Sequence, residues 1–503
     1  MAEPTDLPRR LRDALLAAGF TYDGVAERLG PLAHAALGRN ETVPGRQRTR
    51  GGSPLDTLIR LFLLQVPVDG AAAEAALPGL VDELAVHGLL AQSIGEVAAR
   101  MDVRPYAVDA PAGSSSGESG DDLWVVSDLT PGLDGGPQNV GASYVLGISP
   151  ASTSLAQLTI RTEVGTSLDL GTGCGVQALH LAQHSGRVVA TDVNPRALWM
   201  TGFNAALNGV ADRIDVRSGS FFEPVATETF DLIATNPPFV ISPATGERLV
   251  YRDSGLPGDR VVEDIVRAAP DRLNDGGWCQ ILANWVISAD RPWDERLDAW
   301  LGEGTDALIV QREILDPAAY VELWLKDSGH HPSSGGSASD YTFRYDTWLT
   351  WMESHGIEGI GFGWINLHKT GAAGVPRREL LSWPYDVEQP IAPAIAAWGD
   401  SVRRQVDLDS RLVAPVDLQQ ETVGAPGAED PGAIVLRQQR GLRRAHQADT
   451  ITAALVGACD GELALGQLLD AISSLLDLDP AATREDYLPL ARTLVEQGFL
   501  TLS

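Results

Sequence analysis

A chain of 503 residues exceeds what one hydrophobic core usually serves, and about three domains are expected. Its 44% hydrophobic share is of globular type, while 38 basic against 67 acidic side chains leave a net charge of −29, which argues against a surface built to grip long nucleic acids, a local basic patch apart. Three scattered cysteines are too few for a disulfide framework or a zinc site, and neither an apolar leader nor a run of membrane-spanning length is found, so a soluble cytoplasmic protein without bound metal is expected.

In chain order, residues 7–18, 22–29, 54–64, 71–76 and 79–87 carry apolar side chains at helical spacing. The stretch 88–103 reads as a hairpin, which makes residues 1–110 a helical, winged-helix-like domain. Arg46, Arg48 and Arg50 form a run that either touches phosphates or lines a solvated loop. Residues 111–122, rich in Gly, Ser and acid, read as a flexible acidic linker.

Order resumes at Leu123, Trp124, Val125 and Val126, and a segment at 145–161 runs into a helix. Four motifs then follow one another. Residues 168–175, Leu-Asp-Leu-Gly-Thr-Gly-Cys-Gly, read as the end of a buried strand and a turn from which a helix opens at Val176. Gly171, Gly173 and Gly175 suit that turn, which needs positive φ and lets a ligand press against bare backbone. Residues 187–192 form a second strand ending in Asp192, a carboxylate placed to accept hydrogen bonds from both hydroxyls of a ribose. Residues 230–235 form another apolar strand, which runs straight into Asn236, Pro237, Pro238 and Phe239.

Together these residues resemble the class I S-adenosylmethionine-dependent methyltransferases, and more narrowly the branch that methylates planar amino nitrogens. Asp169 before the first glycine, and Val176 where nicotinamide enzymes place a third glycine, separate the turn from theirs. The resemblance implies an α/β, Rossmann-like domain of seven strands over 123–375, with S-adenosylmethionine held by Asp169, Gly171, Gly173, Gly175 and Asp192. It also implies Thr153 as a hydrogen-bonder at the cofactor's methionine end, in a segment that departs from the family's Pro-Arg-containing form. Where many relatives carry Gly-Asp after the third strand, this chain has Gly219, Ser220 and Phe221. Ser220 is assigned to the adenine amine, more weakly than a carboxylate would be, and Phe221 to the face of the ring. The loop 251–258 resembles the Asp-Gly-Gly loop of glutamine methyltransferases only in part; it is either a lid with substrate contacts or a turn before a helix.

The Asn-Pro-Pro-Phe motif also has a physical reading of its own. An amino group on a base or a carboxamide has its lone pair delocalised, so it attacks a sulfonium methyl poorly unless two acceptors on its hydrogens draw that pair back. The Asn236 side-chain oxygen and the Pro237 carbonyl are the natural acceptors. Pro238 biases Pro237 toward extended backbone, neither proline brings an N–H into the pocket, and Phe239 stacks on the planar group.

Strands at 214–218, 278–286, 307–314 and 359–367, with helices at 195–208 and 259–273, complete a mostly parallel sheet covered on both faces. His180 and His184 read as helix surface or packing, His330 and His331 as loop residues, and Trp285, Trp324, Trp348, Trp351 and Trp364 as core. From Arg377 the alternation stops, and residues 376–503 read as a second winged-helix-like domain. It has a loop at 422–432, a hairpin at 433–446 and helices at 450–458, 465–475 and 487–497. Arg437, Arg440, Arg443 and Arg444 on the hairpin either receive RNA or an acidic protein, or pair with local acids. Three functions are expected, in this order: an RNA methyltransferase acting on adenine N6 or guanine N2, a protein glutamine-N5 methyltransferase acting on a release-factor-like protein, and an inactive cofactor-binding scaffold.

Overall fold

The structure, a computed structural model, describes residues 6–107, 122–136, 140, 141, 143–243, 256–371, 375–425 and 432–503. The expected linker, residue 122 apart, and most of the loop 251–258 lie outside the described residues. Among those residues no helix is long and apolar enough to cross a membrane.

Eight strands form the central sheet: β1 (Val164–Leu170), β2 (Ser185–Asp192), β3 (Ile214–Ser218), β4 (Phe230–Thr235), β5 (Leu273–Ser288), β6 (Thr305–Leu315), β7 (Ile357–Lys369) and β8 (Arg378–Ser382). Their spatial order is β8-β6-β7-β5-β4-β1-β2-β3. Only β7 runs antiparallel to its neighbours, β5 and β6; every other pair is parallel. The chain leaves β1 toward β2 and β3, then returns to lay β4 on the other side of β1. That reversal opens a crevice at the carboxyl ends of β1 and β4, where open α/β sheets bind ligands.

The seven-strand expectation is corrected by β8. Arg378, Glu379, Leu380 and Leu381 are only half-buried there and half of them are charged, so no apolar alternation announces a strand. Backbone pairing with residues 307–311 and an Arg378–Asp298 ion pair at 3.0 Å hold it at the sheet edge.

Five helices matter for the site: α1 (Pro150–Leu158), α2 (Val176–Leu181), α3 (Pro195–Leu207), α4 (Pro317–Asp327) and α5 (Ala392–Ser401). On one face of the sheet, α1 and α5 press Leu155, Leu158, Ile395 and Trp398 against Leu308, Val310 and Trp364. On the other, Val262, Ile265 and Leu297 pack on Leu168, Val189, Ile233 and Ile281. The two sets follow from period-two alternation: Ile281 and Ala283 of β5 point one way, Leu282 the other.

The N-terminal helices run Leu7–Ala17, Tyr22–Leu37, Val43–Arg48, Pro54–Leu58, Gly70–Ala76 and Val81–Val86, followed by the antiparallel hairpin Leu90–Ser93 and Glu96–Ala99. The second helix outlasts its expected end at residue 29 because the chain kinks through Gly30, at φ 71, and resumes after Pro31. Arg46 and Arg48 of the arginine run lie on a helix opened by Pro44, and Arg50 in the turn after it. Arg46 pairs with Asp134 at 2.9 Å, and Arg48 Nε donates to the Leu29 carbonyl at 3.0 Å.

Strand Met101–Ala107 pairs antiparallel with strand Asp122–Asp128, so the boundary expected at residue 110 separates two strands of one ribbon. The outer edge of Asp122–Asp128 is met by side chains of α3. Asn204 accepts from Val126 N at 2.8 Å and donates to its carbonyl at 2.9 Å, while Asn208 does the same for Trp124 at 2.9 and 2.8 Å. Leu7, Leu11, Phe20, Phe62 and Trp124 join Met200, Leu207 and Leu232 in one buried cluster, so the N-terminal module shares its core with the sheet.

Beyond α5, strands Arg411–Val413, Asp460–Ala464 and Thr501–Leu502 form one small sheet; Gln419–Val423, Ala433–Arg437 and Ala445–Ala448 form another. Helices Thr450–Ala458 and Leu465–Leu475 lie where the spacing places them, whereas the last, Pro480–Glu496, starts earlier because Asp479 caps its first turn. Arg437 pairs with Glu421 at 2.7 Å, Arg444 with Glu379 at 2.5 Å, and Arg440 reaches Asp417 at 3.8 Å.

Candidate active site

The crevice is built from the ends of four neighbouring strands. After β1, Gly171, Gly173 and Gly175 take φ of 77°, 57° and 86°, in the left-handed region that favours glycine. At Gly171 and Gly173 an added Cβ would meet nothing within 4 Å, so the backbone lies bare toward open space; at Gly175 it would press on Thr201 at 3.1 Å. Asp169 braces the turn from beneath. Its Oδ2 accepts from Thr172 Oγ1 at 2.6 Å and from Ala178 N at 2.9 Å, and the residue is 2% exposed. Burial pushes its carboxyl up to about 7, with the charge of Asp192 adding to the rise. The sequence reading places Asp169 among the cofactor ligands; in the structure at least one of its oxygens is committed to shaping the turn.

Asp192 ends β2 half-buried. Its Oδ2 accepts from Gly173 N at 3.0 Å and its Oδ1 from Asn194 N at 2.8 Å, which aims the carboxylate across the turn. Gly219 N donates to the Asp192 carbonyl at 3.1 Å, bringing Ser220 and Phe221 to the same edge of the crevice. Phe221 stands 36% exposed at φ 45°, a left-handed conformation that is strained for a bulky residue. On the opposite side, Ser149 caps α1 through Ser152, and Gln177 Nε2 donates to the Ser152 carbonyl at 2.7 Å. Thr153 follows on that same turn, half-buried.

The motif after β4 is pinned at both ends. Thr235 Oγ1 donates to the Leu170 carbonyl at 2.7 Å, and Ile241 N donates to the Tyr320 hydroxyl of α4 at 2.8 Å. Between these anchors, Asn236 Oδ1 is fully occluded yet has no hydrogen-bond partner among the described residues. Pro237 is buried, and Phe239 meets Trp324 edge to face at 6.3 Å between ring centroids. Phe239, Leu282, Asn284, Trp324 and Phe362 line a cavity of about 250 Å³.

Sequence reasoning missed α4, which supplies Tyr320 and Trp324; Asp316 followed by Pro317, a capping residue and a first-turn proline, is the signal that locates it. Trp324 is core, as expected at 7% exposure, and also a wall of the cavity. His180 takes no part in the site: it is buried against the Tyr106 hydroxyl at 2.9 Å, and burial lowers it to about 3. A second cavity, of about 410 Å³, opens between α5 and the C-terminal segment and shares no lining residue with the first.

Residues 147–302 match the family model of the methyltransferase small domain, and residues 17–100 and 394–502 match two families described as domains of unknown function, DUF7059 and DUF7782. The chain is 34% identical over 125 residues to the release factor glutamine methyltransferase of Geobacter sulfurreducens, across 23% of this chain and 43% of that one. It is 35% identical over 132 residues to the ribosomal protein uL3 glutamine methyltransferase of Bradyrhizobium diazoefficiens, across 24% and 41%. The chain thus spans less than half the length of these curated relatives. Among solved structures, an rRNA methylase from Streptococcus thermophilus aligns at 14% identity over 44% of this chain and 98% of its own, with a TM-score of 0.26.

Proposed function

We propose that the protein uses S-adenosylmethionine to methylate the side-chain amide nitrogen of a glutamine in a protein; the match of residues 147–302 to the methyltransferase small domain and the likeness to glutamine methyltransferases support this reading. The observation that carries an amino-nitrogen acceptor is Asn236 Oδ1 at the end of β4, occluded and without a hydrogen-bond partner among the described residues. An acceptor buried without a donor costs about 1–3 kcal/mol, a cost for which a scaffold without activity has no use.

The crevice fits the cofactor. The bare backbone at Gly171 and Gly173 leaves room for it, Asp192 would hold its ribose hydroxyls, Ser220 and Phe221 its adenine, and Thr153 its methionine end. When bound, S-adenosylmethionine supplies an electrophilic methyl group on its sulfonium. The rest falls to the chain. Asn236 Oδ1 accepts one amide N–H and the Pro237 carbonyl the other, which draws the nitrogen lone pair out of conjugation. Phe239 lies against the planar group and fixes its angle. No strong base is needed: with the methyl on, the nitrogen is cationic and still carries both hydrogens, one of which is acidic enough to pass to water, leaving the N-methyl amide.

Between the two substrate classes, the sequence puts RNA first; we reverse that order. Of the arginines on which an RNA reading leans, Arg46, Arg437 and Arg444 are engaged by Asp134, Glu421 and Glu379, and the net charge of −29 opposes a phosphate backbone. The two curated relatives named above carry glutamine methylation in their names. The test is to add the enzyme and methyl-tritiated cofactor to a lysate of cells lacking the protein. Protease should release the label and ribonuclease should not. Acid hydrolysis should then free it as volatile methylamine, because the methylated nitrogen departs with the amide. Label released by ribonuclease restores the RNA reading.

A further inference from the structure

The cavity lined by Phe239, three residues after Asn236, is also lined by a buried amide with an unmet hydrogen bond. Asn284, in β5, is 1% exposed and lines that cavity, and its Nδ2 has no hydrogen-bond partner among the described residues. Gln280, on the same strand and the same face, shows the ordinary fate of a buried amide. It accepts from Ile160 N at 2.7 Å and donates to the Leu158 carbonyl at 2.7 Å and to Asn366 Oδ1 at 2.9 Å. One amide ties the sheet to the end of α1; the other, four residues along, is left open beside Phe239. A leucine would fill nearly the same space without burying an unmet donor, so the fold alone gives no reason for Asn284.

We propose that Asn284 recognises the methyl acceptor, its Nδ2 donating to the carbonyl oxygen of the substrate carboxamide while Asn236 Oδ1 accepts from the amide N–H. This rests on the glutamine reading and gives it a chemical filter. A primary carboxamide carries one acceptor and one donor group on the same carbon, and the two asparagines offer the complement. A glutamate side chain has no N–H for Asn236, and an alkyl amine has no oxygen for Asn284. Phe239, Leu282, Trp324 and Phe362 give the cavity a mostly apolar wall, with the carboxylate of Asp327 also among its lining, so a mismatched side chain leaves a polar group poorly paired and is disfavoured. A hydrogen bond to the carbonyl deepens conjugation of the nitrogen lone pair, so Asn284 serves binding and not the rate.

The test uses the full chain, methyl-tritiated cofactor and capped glutamine, N-acetylglutamine N-methylamide, as acceptor. Asn284→Ala and Asn284→Leu should raise KM for capped glutamine roughly tenfold to a hundredfold, the span of an unpaired buried polar group, with kcat within about threefold of wild type. Cofactor affinity should be unchanged, and Asn284→Leu should melt no lower than wild type. An unaltered KM in both variants, or a rise that appears only with a lowered melting temperature, overturns the assignment of Asn284. Failure of the wild-type enzyme to methylate both capped glutamine and, in the lysate, any protein amide whose label acid frees as methylamine overturns the glutamine reading itself, and the carbonyl partner of Asn284 with it.

Discussion

The glycine turn after β1 and the Asn236 to Phe239 segment after β4 lie at neighbouring strand ends, and they treat their hydrogen bonds in opposite ways. At the turn, Asp169, Thr172 and Asp192 are matched to one another's surroundings by bonds of 2.6 to 3.0 Å. At the acceptor side, the ends of the segment are tied down but Asn236 Oδ1 has no donor, and Asn284 Nδ2 no acceptor, among the described residues. The carboxylates that brace the cofactor half are satisfied by the fold, whereas the two amides of the acceptor half are completed by what it binds. Substitutions in the first should therefore disturb stability and affinity together, and substitutions in the second should separate them.

The strongest way to break that contrast is Asn236→Ala. Loss of one preorganised acceptor should lower kcat on the order of a hundredfold, by analogy with an oxyanion-hole donor. Cofactor binding should stay near normal and the melting temperature should not fall; a drop of several degrees would make Asn236 a structural residue. Next, Asp192→Ala should weaken S-adenosylmethionine by about 1.5–3 kcal/mol in calorimetry and leave a folded protein, with Gly173 N losing its acceptor at the same time. Unchanged affinity in the folded variant removes Asp192 from the ribose.

Asp169→Asn probes the cofactor half through pH. Because the folded carboxyl titrates near 7 and the unfolded one near 3.8, wild type keeps a proton on folding that the unfolded chain has lost. This contribution to stability is therefore intact below about pH 4, is lost as pH rises toward 7, and changes no further above that. The introduced carboxamide cannot ionise, so the melting temperature of Asp169→Asn relative to wild type should climb by on the order of a few degrees between pH 4 and 7 and then level off. A difference independent of pH would mean that the carboxylate is charged throughout. The smallest effect is expected from Phe239→Leu, which keeps apolar volume and loses the flat face. KM for the acceptor should rise by about threefold to tenfold, the worth of an aromatic contact, with little change in kcat.

What the sequence discloses depends on how far a feature's cause lies from it along the chain. Strands β1, β2 and β4 are legible because each contains a buried apolar run stopped by Gly, Asp or Asn-Pro. The positive φ at Gly171, Gly173 and Gly175 is equally local. By contrast, β8 is half-charged and exists because of a partner strand some seventy residues earlier. The helix α5 begins with Ala392 and Pro393 and declares itself only by packing Trp398 on Trp364. The bracing of the turn by Asp169 is hidden for a related reason: its position beside the turn is visible, but the direction of its carboxylate is not. Asn284, one polar residue in an apolar strand, looks like Gln280 until the partners of each amide are known.

The two asparagine amides of α3 have a practical meaning for anyone who wishes to study the catalytic half by itself. They stand in for the missing neighbour of strand Asp122–Asp128, whose other edge belongs to Met101–Ala107. A fragment starting at residue 123 would lose that second edge together with Leu7, Phe20 and Phe62, and would turn a shared core into an exposed apolar face prone to aggregation. The backbone protons of Trp124 and Val126 should accordingly be among the slowest in the protein to exchange with deuterium, released only when α3 and the N-terminal helices come apart in the same event.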